Sequence, residues 1–423
     1  MSIKISILSI ISLLVIAQGC RESERFEINY ADTTPPGKPI ISEEYKPLYG
    51  GARIYFTPPE DEDVLTVDAR YTNQKGETIW FSASYYTDSI DVEGFADTNP
   101  KNVTLYAVDR AGNKSETQTI TVIPKEPAVA RVASSINVKG GFSSFYLDWK
   151  NELKQVVNIH VSYSYEGKEK VIIYTSTDTL ERKYIRLDNI SETTPVNVKV
   201  KVEDRYGNTS DLAESSIYMI KDEKIPKDRW VIPITNDSIG GVPQGYWDAY
   251  EGRMIYITDD IIDNGLNWNW GSTGPKGHTG NIADGNLPAN FIIDLGEEWE
   301  ISRIVTHQRD LSWSAPNIPT GRGWYYGNEN IGIYSMYIWD AVKSDWDSIC
   351  THKIVFPPDL PGQQYRVMAQ AGDMAYLYVE NPHFSAPTRW FRYEARFGFN
   401  NDYTSQAHMG LSEITLYGRK KTN

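Results

Sequence analysis

Two segments of the chain repeat each other: VTLYAVDRAGNKS from Val103 to Ser115 and VKVKVEDRYGNTS from Val198 to Ser210. Asp109 matches Asp204, Arg110 matches Arg205, Gly112 matches Gly207, Asn113 matches Asn208 and Ser115 matches Ser210, all at an offset of 95. Each copy opens with the period-two alternation of a strand and closes in a D-R-x-G-N turn. There Gly and Asn supply backbone conformations that β-branched residues resist. The offset is the length of one β-sandwich domain, so the repeat predicts two such domains in tandem. Strand patterns after each Gly pair agree: ARIYF follows Gly50-Gly51, and SSFYLDW follows Gly140-Gly141. Asp109 and Asp204 open their turns, a position where an aspartate bonds its own backbone, so they are read as structural rather than catalytic.

Beyond Pro226 the composition changes, and ten of the twelve tryptophans lie from Trp230 onward. FIIDLGEEWEISRIVTHQ (291–308) predicts a strand, a turn at Asp294-Leu295-Gly296 and a second strand. GIYSMYIWDAVKSDWDSI (332–349) predicts a hairpin turning between Val342 and Asp345. RWFRYEARFGF (389–399) alternates like a half-exposed strand, and LSEITLYG (411–418) reads as a closing strand. Trp299, Trp339 and Trp390 are expected to fold inward as core residues.

These patterns carry two resemblances. Pro35-Pro36-Gly37-Lys38-Pro39, the strand after the Gly pair and Ala107-Val108-Asp109 to Gly112-Asn113-Lys114-Ser115 resemble a fibronectin type III domain, and the second copy resembles it more loosely. The four C-terminal blocks, in their order, resemble a discoidin domain of the coagulation factor 5/8 type C family. The fold class expected is therefore all-β: two immunoglobulin-like or fibronectin type III-like sandwiches followed by a discoidin-like jelly roll. The division is a signal peptide over 1–19, a tether over 20–34, sandwiches over 35–125 and 126–226, and the jelly roll over 227–423.

The first twenty residues address the chain. Lys4 precedes the apolar run Ile5–Ile16, and Ala17-Gln18-Gly19-Cys20 ends it. The run is too short for a permanent membrane span and fits a secretory signal. Small residues leading to a cysteine resemble the bacterial lipobox, which implies cleavage before Cys20 and lipidation of its thiol. The acidic stretch Arg21-Glu22-Ser23-Glu24 resembles the export tags of surface lipoproteins, implying a lipid-anchored, surface-exposed place on the outer membrane. Cys350 is then the one remaining cysteine, so no intrachain disulfide is expected, and it reads as a small buried hydrophobe. A net charge of -14 and a pI near 5.0 argue against nucleic acid or an anionic membrane surface as partner, because both need a basic face.

Function is expected in the long loops at one end of the jelly roll. GLNWNWGSTG (265–274) frames Trp268 and Trp270 with glycines and is read as a loop; QRDLSWSAPNIPTGRGWYYGNEN (308–330) carries Trp313, Arg322, Trp324, Tyr325 and Tyr326; NNDYTSQAH (400–408) is a third loop. A sugar's C–H face packs on aromatic rings while its hydroxyls need planar polar partners. The candidate carbohydrate-binding residues are thus Trp268, Trp270, Trp313, Trp324, Tyr325 and Tyr326, with His278 and Arg322 as polar partners. No cofactor is called for. Asp259, Asp260 and Asp263 form an oxygen-rich turn of the kind that holds calcium in some discoidin relatives, where the ion would brace the loop. The whole arrangement resembles lipoproteins encoded beside outer-membrane glycan importers. It implies a non-catalytic surface protein that captures a polysaccharide or oligosaccharide. Two alternatives stay open: a component that docks to importer subunits, and an unrecognised glycoside hydrolase, since a glycosidase needs only two carboxylates about 5 to 10 Å apart.

Overall fold

The computed structural model describes residues 31–232, 238–239, 242–243, 253–263, 271–273, 289–310, 325–327, 330–399 and 409–421. The signal peptide, Cys20 and the tether up to residue 30 lie outside them. The chain forms two compact units, one of 1–139, 145–185 and 193–218, the other of 140–144, 186–192 and 219–423. Both are built almost wholly from strands, and the all-β sandwich class expected from the sequence is the class observed.

The first unit begins with β1 (Ile40–Leu48), β2 (Gly51–Thr57), β3 (Val64–Thr72), β4 (Thr78–Ser84), β5 (Ser89–Glu93), β6 (Lys101–Asp109) and β7 (Gln118–Val122). They form a β1-β2-β5 sheet and a β4-β3-β6-β7 sheet. Alternation delivers Ala52, Ile54 and Phe56 from one sheet and Val67, Ala69, Val103 and Leu105 from the other into one core. A short helix, α1 (Ala128–Ser135), starts after Pro127 and buries Ala128, Val129 and Val132. It was not read from the sequence. The second copy follows with β8 (Asn137–Gly141), β9 (Ser144–Lys150), β10 (Val157–Tyr165), β11 (Lys168–Ser176), β12 (Leu180–Arg186), β13 (Val196–Asp204) and β14 (Ala213–Ile217). Their sheets run β12-β9-β8 and β11-β10-β13-β14. Trp149 is fully buried among these strands, its indole N–H donating to Ser176 Oγ at 2.9 Å.

The repeated turns behave as expected and do one thing more. Asp109 Oδ1 accepts from the Asn113 N–H at 2.8 Å, and Asp204 Oδ1 accepts from the Asn208 N–H at 2.9 Å. Each asparagine amide is thereby aimed at a distant carbonyl. Asn113 Nδ2 donates to Asp32 O at 3.0 Å, and Asn208 Nδ2 donates to Gly94 O at 2.8 Å. Gly94, at φ +88°, lies where a Cβ would stand 2.6 Å from both Tyr206 Cγ and Tyr71 Oη.

The second unit adds β15 (Glu223–Lys224), β16 (Ser238–Ile239), β17 (Val242–Pro243), β18 (Gly271–Thr273), β19 (Ala289–His307), β20 (Ile331–Asp340), β21 (Asp345–Lys353), α2 (Gly362–Ala371), β22 (Asp373–Tyr376), β23 (Thr388–Gly398), β24 (Met409–Leu411) and β25 (Glu413–Lys420). The main sheet runs β15-β25-β19-β23-β20-β21, with β22 also on β19. The expected turn at Asp294-Leu295-Gly296 is a kink inside one long strand. Gly296 takes φ +78°, and β19 passes there from pairing with β23 to pairing with β25. The predicted hairpin is β20–β21: Asp340 Oδ1 accepts from the Val342 and Lys343 N–H groups, and Ser344 turns the chain at φ +54°. Part of the glycine-framed stretch read as a loop is a strand, since β18 pairs with β24. The helix α2, also not read from the sequence, ends at Gly372 (φ +78°), whose N–H closes on Met368 O and Ala369 O.

The core of this unit gathers Phe291, Ile293, Tyr334, Met336, Ile338, Phe391, Tyr393, Ile414 and Leu416. Trp299 is buried there as expected. Cys350 is half-buried against it, and burial pushes its thiol up to about 11. Asp222 anchors the strands from below. Its carboxylate accepts from Arg303 Nε at 2.6 Å, Ser302 Oγ at 2.7 Å and Ser143 Oγ at 2.7 Å, and the Arg303 guanidinium lies 3.7 Å from the Tyr417 ring centroid.

Candidate functional site

Period-two alternation in β23 sends Phe391, Tyr393 and Ala395 into the core and therefore Trp390, Arg392, Glu394 and Arg396 to the opposite face. The register places Tyr337 of β20 beside Arg392, Ser335 beside Glu394, and Trp339 beside Trp346 of β21. One sheet face so collects three tryptophans, a tyrosine, two arginines and a glutamate. Trp339, Trp346, Trp390 and Tyr337 are half-buried, each with part of its surface in solvent. The Arg392 guanidinium lies 3.5 Å from the Tyr337 ring centroid and 5.4 Å from that of Trp346, a cation–π sandwich. Trp346 meets Trp339 edge to face at 5.4 Å. Glu394 Oε1 accepts from Arg396 Nη2 at 2.7 Å and Tyr337 Oη at 3.1 Å, and its Oε2 lies 3.5 Å from Arg392 Nη2.

The cluster has unused hydrogen-bonding capacity. Arg392 Nε, Arg396 Nε and the amide oxygen of Asn290, which β19 places beside Glu394, have no hydrogen-bond partner among the described residues. These three atoms are buried, so the part of this face that a ligand can meet is the half-exposed rings of Tyr337, Trp339, Trp346 and Trp390 and the partly exposed Arg396 guanidinium. Sequence reading took Trp339 and Trp390 as core residues, and this is corrected: alternation puts them on the face away from the core. The pattern R-W-F-R-Y-E-A-R-F carries the signal, because Arg392, Glu394 and Arg396 follow Trp390 at every second position.

The residues expected at the loop end fare differently. Trp268, Trp270, His278, Trp313, Arg322 and Trp324 lie outside the described residues. Tyr325 and Tyr326 are described, and neither offers a ring to a ligand. Tyr325 is 1% exposed and donates its hydroxyl to Asp310 Oδ2 at 2.6 Å, while accepting from Arg366 Nε at 2.9 Å. Burial, then the Asp310 bond, pushes its phenol well above the usual range. Tyr326 is 7% exposed and packs edge to face on Phe399, with burial pushing its phenol up to about 12. Both are core residues, because each has an inward partner that fixes it.

The aspartates suggested for calcium are also drawn into other work. Asp260 pairs with Lys224 at 2.6 Å and Lys227 at 2.7 Å, Asp259 Oδ1 accepts from the Ile261 N–H, and Asp263, 2% exposed, accepts from the Asp310 N–H at 3.2 Å. Among the described residues the carboxylates that converge are instead Asp32, Asp63 and Asp109, with oxygens within 4.8 Å of one another, and Asp109 is the turn residue bonded to Asn113. Among the described residues of the second unit, Glu413 is a carboxylate displaced upward: burial pushes it up to about 8, against the pull of its partner Lys227. At 2% exposure it cannot reach a substrate. Among the described residues a pocket of about 280 Å³ lies in the first unit, lined by Tyr49, Phe95, Lys154, Arg205 and Tyr206, where Arg205 and Tyr206 are both bonded to Glu93.

Three family models match the chain, each described as a domain of unknown function: DUF4959 over residues 37–124, DUF5126 over 125–228 and DUF5000 over 266–418. No curated protein matches. Among solved structures, the chain is similar to SusE-like protein BT2857 (17% identity, TM-score 0.36, 69% of this chain and 99% of that one). It is also similar to CBM32-3 from a family 31 glycoside hydrolase of Clostridium perfringens (13% identity, TM-score 0.28, 46% and 95%). A two-domain fibronectin type III segment of chicken tenascin is a third (15% identity, TM-score 0.22, 44% and 99%). Likenesses this distant bear on neither substrate nor activity.

Proposed function

We propose that this chain is a lipid-anchored protein of the outer-membrane surface that binds a polysaccharide without cleaving it and holds it for import. The observation that carries the reading is the β20–β21–β23 face, where Tyr337, Trp339, Trp346 and Trp390 offer half-exposed aromatic surface beside the partly exposed Arg396 guanidinium. Ring stacking plus a few polar contacts, each worth about 1 kcal/mol net, gives weak and reversible capture. Many anchored copies on one polymer turn that into avidity. Trp268, Trp270, His278, Trp313, Arg322 and Trp324, outside the described residues, stay proposed as further contacts on their sequence pattern alone. The anchor rests on the Cys20 motif, and the acidic charge leaves a neutral polymer as the fitting ligand.

The test is a screen of the full chain against soluble polysaccharides, with reducing ends assayed in the same samples. Retention with no new reducing ends is expected. Release of reducing ends would establish a hydrolase instead, and absence of retention across the screen would remove the reading. Docking to importer subunits is the second reading, favoured by Val171 and Ile173, which are 68% and 55% exposed on the edge strand β11.

A further inference from the structure

Outside the tryptophan-rich C-terminal region the chain has two tryptophans, and the structure treats them oppositely. Trp149 is wholly buried, while Trp80 on the edge strand β4 is 66% exposed. The ladder fixes its neighbours. Trp80 pairs with Arg70, which pairs with Thr104, which pairs with Thr119, so these four side chains make one row across the outer face of the β4-β3-β6-β7 sheet. At roughly 4.8 Å per strand the row is about 14 Å long. Thr104 and Thr119 hydroxyls lie 3.3 Å apart. In the next row Ser82 Oγ donates to Asp68 Oδ1 at 2.7 Å, and the Arg70 guanidinium lies 5.6 Å from the Tyr106 ring centroid.

The second copy shows what this face is like without the ring. The 95-residue offset carries Thr104 onto Lys199, which pairs with Ser162, and Ser162 with Val171. The same operation carries Ser82 onto Ile173 and Asp68 onto His160. The equivalent face carries Val171 and Ile173 beside the pairs Lys199–Glu214 and His160–Glu203, with no aromatic at Trp80's place.

The chemistry around Trp80 selects its occupant. A protein partner would want contiguous apolar surface, yet the indole is ringed by hydroxyls, one guanidinium and one carboxylate. Nucleic acid would need a strongly basic face, and here two cations, Arg70 and Lys114 against the Tyr106 ring, stand beside the Asp68 carboxylate. A hydroxyl-bearing face of low net charge with one exposed indole complements a chain of neutral sugars. We propose that the outer face of the β4-β3-β6-β7 sheet is a second glycan-binding site, with Trp80 as the stacking ring and Arg70, Ser82 and Thr104 as polar partners. The proposal rests on the reading of the chain as a glycan binder.

Affinity electrophoresis of the full chain in gels containing xylan, galactomannan, laminarin, pullulan or hydroxyethyl cellulose tests it, comparing wild type, Trp80→Ala, Arg392→Lys and the double variant. Trp80→Ala is expected to weaken retention roughly tenfold on the polymer that retards wild type, with an unchanged melting temperature because the ring is exposed. Equal retention of Trp80→Ala and wild type overturns this site, and if Arg392→Lys is released in the same gel the C-terminal reading survives. Loss with Trp80→Ala alone supports this site and sinks the other. No retardation of wild type by any of the five polymers overturns both.

Discussion

Replacing Glu413 by glutamine should change how the second unit responds to pH. The Glu413 side chain is 2% exposed and bonds to Lys227, which is itself only 5% exposed and pairs also with Asp260. Burial raises its carboxyl from 4.5 to about 8. A raised folded-state value means that the folded state holds this proton between about 4.5 and 8 while the unfolded chain has released it. Its contribution is therefore fully present below 4.5 and lost as pH rises through 8. Linkage gives about 1.4 kcal/mol per pH unit, or on the order of 4 kcal/mol between pH 5 and pH 8. For a unit of this size each kcal/mol moves the melting temperature by about 2–4 °C, so the wild-type transition should fall by roughly 8–16 °C over that range. Glu413→Gln cannot ionise, keeps a partner for the neighbouring backbone and leaves Lys227 with Asp260, so its transition should stay nearly level. Differential scanning calorimetry at pH 5, 6, 7 and 8 reads both curves. Parallel curves for the two proteins would refute the reasoning and show Glu413 ionised throughout by its ion pair.

Three further substitutions and one modification probe other joints. Asp222→Ala would leave the Arg303 guanidinium buried without its carboxylate and should cost about 3–5 kcal/mol, read as a lower urea midpoint of the second unit. Gly94→Ala demands a side chain at φ +88° against Tyr206 and Tyr71, and should lower the first unit's transition by several degrees, whereas Gly112→Ala, with open space around it, should bear the positive-φ strain alone. Cys350, with its thiol pushed up to about 11, should react slowly with a thiol reagent at pH 8 and rapidly in 6 M guanidinium; fast labelling of the folded chain would place the thiol in solvent.

Much of the scaffold was legible because its signals are local. The D-R-x-G-N turns need an aspartate bonding to an asparagine four residues on, and both copies do so at Asp109–Asn113 and Asp204–Asn208. The β20–β21 hairpin was equally visible, since alternation and the Asp340 turn lie within one short stretch. The long reach of Asn113 to Asp32 and of Asn208 to Gly94 was hidden, because no spacing rule predicts which carbonyl a side-chain amide will meet. The helices after Pro127 and Pro361 are only eight and ten residues long and bury few side chains, too short for a clear helical period.

The candidate site was less legible for a different reason. Alternation shows which residues share a face but not which face is covered, so Trp339 and Trp390 were assigned to the core when their neighbours Ile338 and Phe391 are the core residues. Tyr325 and Tyr326 failed as ligand contacts because their inward partners, Asp310 and Phe399, lie 15 and 73 residues away in sequence. The Arg392, Tyr337 and Trp346 cluster is likewise a product of register between three strands, which composition alone cannot supply.

The most direct measurement is isothermal titration of the polysaccharide found in the screen into wild type and Arg392→Lys. Lysine keeps the charge but loses the planar fork and the stack between Tyr337 and Trp346. The account predicts affinity at least roughly tenfold weaker for Arg392→Lys, with a calorimetric transition close to wild type. Identical affinities in two equally folded proteins would contradict it.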